Sequence, residues 1–135
     1  MVEFNGTYKH DKDENFQEVL AKIGIGFMLR KVMMLAKPSV EVKVEGDIWT
    51  ILAHTPIKTV TITFKLGQET DMEFLTGGTT KVVFTLEGNT LTQQPVDTSG
   101  DNAVSVVREF TDEGLKQVMI HLPSGTKGIR FFKRA

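Results

Sequence analysis

From Pro38 onward the chain is a succession of short alternating segments separated by tight turns, and that pattern admits few architectures. Val40, Val42 and Val44 alternate with Glu41, Lys43 and Glu45 before Gly46-Asp47 turns the chain into residues 48–55. Val60, Ile62, Phe64 and Leu66 then alternate with threonines and Lys65. A period of two gives each segment one apolar and one polar face, as a half-buried strand requires. Further strands are predicted at 69–74, 81–86, 90–94, 104–110, 115–122 and 127–133. Turn residues separate them at Thr76-Gly77-Gly78, Glu87-Gly88-Asn89, Thr98-Ser99-Gly100-Asp101, Asp112-Glu113-Gly114 and Pro123-Ser124-Gly125. With an opening strand at Thr7-Tyr8-Lys9 there are about ten, arranged as a meander. So many short antiparallel strands must form a sandwich or close into a barrel, and closure removes exposed sheet edges. Barrels of roughly eight or more strands can hold a small ligand inside.

The segment before Pro38 has a different period. Asn15 is placed to cap a helix through its side-chain oxygen, and Phe16, Val19, Leu20 and Ile23 follow at helical spacing until Gly24 interrupts. Gly24 and Gly26 bracket a turn, and residues 27–36 form a second amphipathic stretch that stops before Pro38. This helix-turn-helix has no sheet partner in sequence, so its expected place is across an open barrel end, as a lid over about residues 15–36. At 135 residues the chain is sized for one domain, 1–135.

Composition removes several functions. Net charge is -1 with both signs interspersed, which disfavours nucleic acid as a partner. Cysteine is absent, excluding disulfides, a thiolate nucleophile and thiolate metal ligation. His10, His54 and His121 are scattered and give neither a metal site nor a nucleophile–base pair, so no catalytic residue, metal or cofactor is assigned and the chain is not expected to be an enzyme. The opening residues lack a basic region followed by an apolar run, and no apolar stretch approaches a membrane span. A soluble cytoplasmic protein is expected.

Two arginines break the strand pattern. Val104, Val106, Arg108 and Phe110 share one face of their strand, and Thr126, Gly128, Arg130 and Phe132 share one face of theirs. If those faces line an interior, two guanidiniums that never deprotonate lie away from bulk water and need partners. The alternative is that each lays its stem over apolar surface with its head in solvent. No obvious carboxylate occupies the same faces, so an inward pair is expected to be completed by an acidic ligand from outside.

The ordered pieces Phe4-Asn5-Gly6-Thr7-Tyr8-Lys9, Asn15-Phe16, Gly24-Ile25-Gly26-Phe27, Lys37-Pro38, Glu45-Gly46-Asp47, Phe64-Lys65-Leu66-Gly67, Val107-Arg108-Glu109 and Arg130-Phe131-Phe132-Lys133-Arg134 together resemble the intracellular lipid-binding proteins, most closely the fatty-acid-binding members. The resemblance covers nearly the whole chain. It implies an all-β, ten-stranded antiparallel up-and-down flattened barrel with a helix-turn-helix lid, calycin-like, that carries ligands and performs no chemistry. It implies a monomer that binds long-chain fatty acids or similar hydrophobic carboxylates and transports them within the cytoplasm, nuclear access being left open. In acid-binding members two inward arginines and a tyrosine two residues after the second receive the carboxylate. Arg108 and Arg130 match; Phe132 stands where the tyrosine is expected. The missing phenol removes a hydrogen bond to a charged acceptor worth roughly 1.5–3 kcal/mol, unless Thr126 or a water substitutes.

Family position and inward phase name a cavity wall of Phe16, Met33, Ile51, Ala53, Val60, Ile62, Met72, Val104, Val106, Gln117 and Met119, each of which is equally a candidate for ordinary core packing. Leu29 and Ile57 fall at the portal, the latter where many relatives place phenylalanine. Lys22, Arg30 and Lys31, beside apolar residues such as Met34, form a basic helical cluster for transient contact with anionic membranes, or simply a solvated helix face. A retinoic-acid-type carrier would meet the same arginines, and a structural or stress-related barrel with reduced ligand binding is the reading that the missing tyrosine favours.

Overall fold

The computed structural model describes residues 3–55, 59–73, 78–100 and 103–135. The expected portal residue Ile57, the end of the 69–74 strand at Phe74, and parts of the turns at Thr76-Gly77 and Asp101 lie outside the described residues. The elements run β1 (Gly6–Glu14), α1 (Phe16–Ile23), α2 (Phe27–Leu35), β2 (Ser39–Glu45), β3 (Ile48–His54), β4 (Thr59–Lys65), β5 (Glu69–Glu73), β6 (Thr79–Glu87), β7 (Thr90–Pro95), β8 (Val104–Phe110), β9 (Gly114–His121) and β10 (Thr126–Arg134).

All pairings are antiparallel, in the order β4-β3-β2-β1-β10-β9-β8-β7-β6-β5. The first and last strands, β10 and β1, are hydrogen-bonded, so the meander wraps round on itself. Among the described residues β4 and β5 form no ladder with each other, and the barrel is nearly closed rather than closed. The expected ten-stranded flattened barrel with its helix-turn-helix lid is present, with two strand edges left at this gap. Phe64 of β4 and Phe84 of β6 stack with centroids 3.6 Å apart, holding the two flanks of this gap together at one end.

Two apolar clusters divide the interior. At one end Tyr8, Trp49, Phe64, Phe84, Phe110, Leu115 and Phe132 form an aromatic floor, onto which Phe4 packs edge-on against Phe110 with centroids 5.2 Å apart. At the other end α1 buries Phe16, Val19, Leu20 and Ile23, with Ile25, Met33, Met34, Val104 and Met119 around them. The helix ends at Gly24, whose φ of 99° lies in the left-handed region that glycine enters without a Cβ clash. In contrast, α2 buries none of its side chains fully.

Asn15 does not cap α1 as expected. It takes the left-handed conformation, φ 54°, and makes no side-chain bond to the helix. Its amide nitrogen instead donates to the Lys127 carbonyl of β10 at 2.7 Å, so it ties the helix start to the barrel wall. Asparagine tolerates this backbone region better than most residues with a side chain. The strand opposite is shaped to receive α1. A Cβ on Gly128 would lie 2.7 Å from Val19 Cγ1, 2.8 Å from Phe16 Cα and 2.9 Å from the Asn15 carbonyl oxygen.

Gly128→Ala is therefore expected to push α1 off β10. Two of the three obstructing atoms are backbone, so relaxation is limited, and overpacking of this kind costs about 1–3 kcal/mol. A urea denaturation midpoint that falls by that amount at constant m value is the expected result.

Candidate functional site

The opening strand is longer than its legible part. Lys9 to Glu14 reads as an unpatterned polar run, yet it belongs to β1. The reason is a bulge: pairing to β10 runs His10↔Phe132 and then Lys12↔Phe131, leaving Asp11 without an opposite number. The extra residue reverses the phase of the strand, so His10 and Asp13, three residues apart, face the same way.

That shift completes a polar row across four strands. Arg108 of β8 faces Gln117 of β9, Gln117 faces Arg130 of β10, and Arg130 faces Asp13 of β1. The row lies one pleat above the floor formed by Phe110, Leu115 and Phe132. Both arginines thus point inward. Their surroundings differ completely.

Arg130 is 7% exposed, and its Nε and Nη2 donate to the two Asp13 carboxylate oxygens at 2.8 and 3.2 Å. Its guanidinium also lies 4.2 Å from the centroid of Phe16. His10 Nε2 approaches the same Asp13 oxygen at 2.8 Å, and the His10 ring meets Phe132 edge-on at 5.8 Å. The expectation that no carboxylate was available is therefore corrected for Arg130: Asp13 fills the role, from a strand whose phase the bulge had hidden. Burial pushes the Asp13 carboxyl up, but the hydrogen bonds from Arg130 and His10 and their attraction outweigh it and hold the group below its ordinary value.

Arg108 has no carboxylate partner among the described residues. Its Nη1 donates to Gln93 Oε1 at 3.0 Å, its carbon lies 5.9 Å from the Phe84 ring centroid, and its buried Nε has no hydrogen-bond partner. Burial pushes its pKa down to about 10, still well above neutral, so the cation persists in a site that does not compensate it.

Above the row opens a cavity of 770 Å³. Of the residues expected to form its wall, Ile51, Ala53, Val60, Ile62, Met72, Val104, Val106, Gln117 and Met119 line it. Phe16 and Met33 do not: α1 turns Phe16 down onto Gly128 of β10, and Met33 of α2 packs against the α1 cluster. Arg108 lines the cavity, whereas Arg130 and Phe132 are outside its lining: Arg130 is folded onto Asp13 and Phe16, and Phe132 is 4% exposed within the floor. Gln93 was not singled out in the sequence, although it shares the inward phase of Leu91 and pairs in register with Val106. Thr59, Thr61 and Thr63 border the cavity together with Val60 and Ile62, so both phases of β4 meet one space. They do so because the cavity reaches the unpaired β4–β5 gap.

At the lid, Leu29 is 48% exposed beside Phe27, Met28 and Leu35. Met34 packs against the α1 cluster instead of lying free. Lys31 lies over Phe27 at 4.7 Å, and Lys22 is exposed. Arg30 is half-buried, with Nη1 donating to the Ile25 carbonyl at 2.6 Å, so it braces the turn between the helices. No described helix is long and apolar enough to cross a membrane, and no metal-ligating cluster occurs among the described residues.

These features define a calycin-like barrel built round an internal cavity, with Arg108 in its wall lacking a carboxylate partner among the described residues. The chain belongs to the lipocalin / cytosolic fatty-acid binding protein family, whose model matches residues 5–121. A fatty acid-binding protein of Tyrophagus putrescentiae is 38% identical over 135 residues, covering 99% of both chains. Among solved structures, the fatty acid-binding protein in brain tissue of Drosophila melanogaster aligns with a TM-score of 0.88 at 41% identity, over 97% of this chain and 99% of that one. A Schistosoma mansoni fatty acid binding protein in complex with arachidonic acid aligns with a TM-score of 0.88 at 29% identity, over 98% and 96%.

The lowered Asp13 value fixes the sign of a pH effect. A carboxyl whose folded value lies below the ordinary 3.8 stabilises above that pH and loses its contribution as pH falls through the folded value. Asp13→Asn, which strands Arg130, is expected to cost about 3 kcal/mol at neutral pH, as breaking a buried pair does. The gap between wild type and variant is expected to narrow as denaturation midpoints are taken to progressively lower pH below the ordinary carboxyl value of 3.8.

Proposed function

We propose that this protein binds long-chain fatty acids and carries them through the cytoplasm as a monomer, with the acyl chain in the barrel cavity and the carboxylate on Arg108. One observation carries the proposal: a guanidinium that stays charged lines the cavity with its buried Nε unbonded and no carboxylate partner among the described residues. A carboxylate would supply the missing acceptor, with Gln93 and Gln117 beside it on the neighbouring strands. The Tyrophagus and Drosophila relatives, named as fatty acid-binding proteins, and the arachidonic acid complex of the Schistosoma protein support the ligand class.

Magnitudes assign the roles. About fifteen methylenes at roughly 0.8 kcal/mol each offer about 12 kcal/mol of transfer energy, set against an association cost of roughly 4–15 kcal/mol. Chain burial supplies the affinity and the arginine selects the headgroup. A cavity of 770 Å³ is within the usual size of small-molecule sites. Met72 and Met119 in the wall adapt to different chain shapes.

Displacement of a fluorescent fatty acid by oleate tests the proposal; saturable competition in the micromolar range or tighter is expected, and no displacement would sink it. Arg108→Gln is expected to weaken oleate binding by about 10–100-fold, the loss of a hydrogen bond to a charged acceptor. The alcohol of the same chain length should lose far less. Equal losses for acid and alcohol would mean that the guanidinium serves packing alone.

For ligand delivery we propose that the exposed apolar face of α2, flanked by Lys22 and Lys31, touches anionic membranes. Phe27, Met28 and Leu35 present apolar surface there, and each lysine near an anionic surface contributes about 1 kcal/mol. Lys22→Glu with Lys31→Glu, leaving Arg30 on its carbonyl, is expected to slow oleate transfer to anionic vesicles several-fold at unchanged affinity. Transfer rates identical to wild type would remove the membrane step.

A further inference from the structure

The four-strand polar row holds two inward cations, and among the described residues one of them, Arg108, has no carboxylate partner. Arg130 is engaged through two nitrogens by both oxygens of Asp13, and its face is covered by the Phe16 ring. Asp13 is also held by His10 Nε2, which approaches the oxygen that accepts from Arg130 Nε at 2.8 Å, and the side chains of His10, Asp13 and Arg130 are each more than nine-tenths buried. A paired, two-point contact of this kind is short, directional and preorganised.

We propose that Asp13 is the residue that places the ligand headgroup: acting as a built-in counter-anion, it withdraws Arg130 from ligand reception and leaves Arg108 as the single receptor for a monoanionic lipid. The proposal rests on the carrier function above and deepens it. An incoming carboxylate gains nothing by competing for Arg130, since displacing Asp13 would leave a buried carboxylate without its cation. The pair is electrically neutral as it stands, so a headgroup drawn toward it meets no net attraction. Thirteen residues into the chain, Asp13 reaches this position only because the bulge at Asp11 turns it inward. The cavity geometry agrees: Arg108 and Gln117 of the row line it, whereas Arg130 and Asp13 do not. Asp13 touches no ligand on this scheme. It is a positioning residue that acts through Arg130.

Rescue distinguishes this role from a purely structural one. Oleate affinity is measured for wild type, Arg108→Gln, and Arg108→Gln combined with Asp13→Asn, with a denaturation midpoint for each. The single variant is expected to lose at least tenfold, and the double variant, with Arg130 released, to recover at least fivefold of that loss. A folded double variant with no recovery would overturn the proposal. Should the double variant fail to fold, the wild-type protein gives the answer through the Nε–H resonances of its buried arginines, assigned with Arg108→Gln. On adding oleate the Arg108 signal is expected to move and the Arg130 signal to stay; comparable movement of both would overturn the proposal. Absence of oleate binding by wild type would remove the carrier function and this placement with it, and it is read from the wild-type arm alone.

Discussion

A guanidinium inside a protein keeps its charge, and the interior of this barrel is organised around two different ways of living with that fact. Arg130 is completed from within, by Asp13 on one side and the Phe16 ring on another. Among the described residues Arg108 has a neutral amide, Gln93, as its side-chain hydrogen-bond partner and no carboxylate, and burial depresses its pKa to about 10. The first arrangement ties β1, β10 and α1 together. The second leaves a cation with no carboxylate partner among the described residues in the wall of a cavity, and the proposed reception of an anion rests on that asymmetry.

The ends of the barrel divide the remaining work. The aromatic floor of Trp49, Phe64, Phe84, Phe110 and Phe132 supplies rigidity, and the Phe64–Phe84 stack spans strands that the hydrogen-bond ladder leaves apart. The opposite end is looser by construction. α1 is pressed onto Gly128 and anchored by Asn15, whereas α2 has no fully buried side chain and presents Phe27, Met28 and Leu35 outward. Few buried contacts make α2 the element whose displacement costs least. A ligand that must enter and leave a covered cavity needs such an element.

Much of the fold could be read from alternation because one buried face repeats every second residue. β2, β3, β4 and β8 carry that pattern openly in Val40-Val42-Val44, Trp49-Ile51, Ile62-Phe64 and Val104-Val106-Phe110. The candidate site was legible where it obeyed the same rule: Arg108 and Arg130 were placed inward from their apolar neighbours on the same phase. The rule fails at β1, where a bulge breaks the phase within a polar run and Asp13 gives no local sign of pointing in. Gln93 obeyed the rule and was overlooked because an amide among threonines and glutamines, Thr90 to Gln94, gives no apolar face to count. Family position and inward phase point Phe16 and Met33 to the cavity, yet a helix has neighbours on several sides: the close approach at Gly128 turns Phe16 toward β10, and Met33 packs against the α1 cluster.

Sequence by itself determined the antiparallel meander, the helix pair before Pro38 and the shared phase of each arginine with apolar neighbours, because each of these follows from short-range periodicity and steric preference. Only the tertiary structure decided that β4 and β5 stay unpaired, that α1 rather than the cavity claims Phe16, and that the partner of Arg130 comes from residue 13. Those outcomes depend on which strands become neighbours when the sheet wraps round and joins β1 to β10. An ion pair between residues 117 positions apart has no local signature; it exists because closure of the barrel brings the two ends of the chain into register.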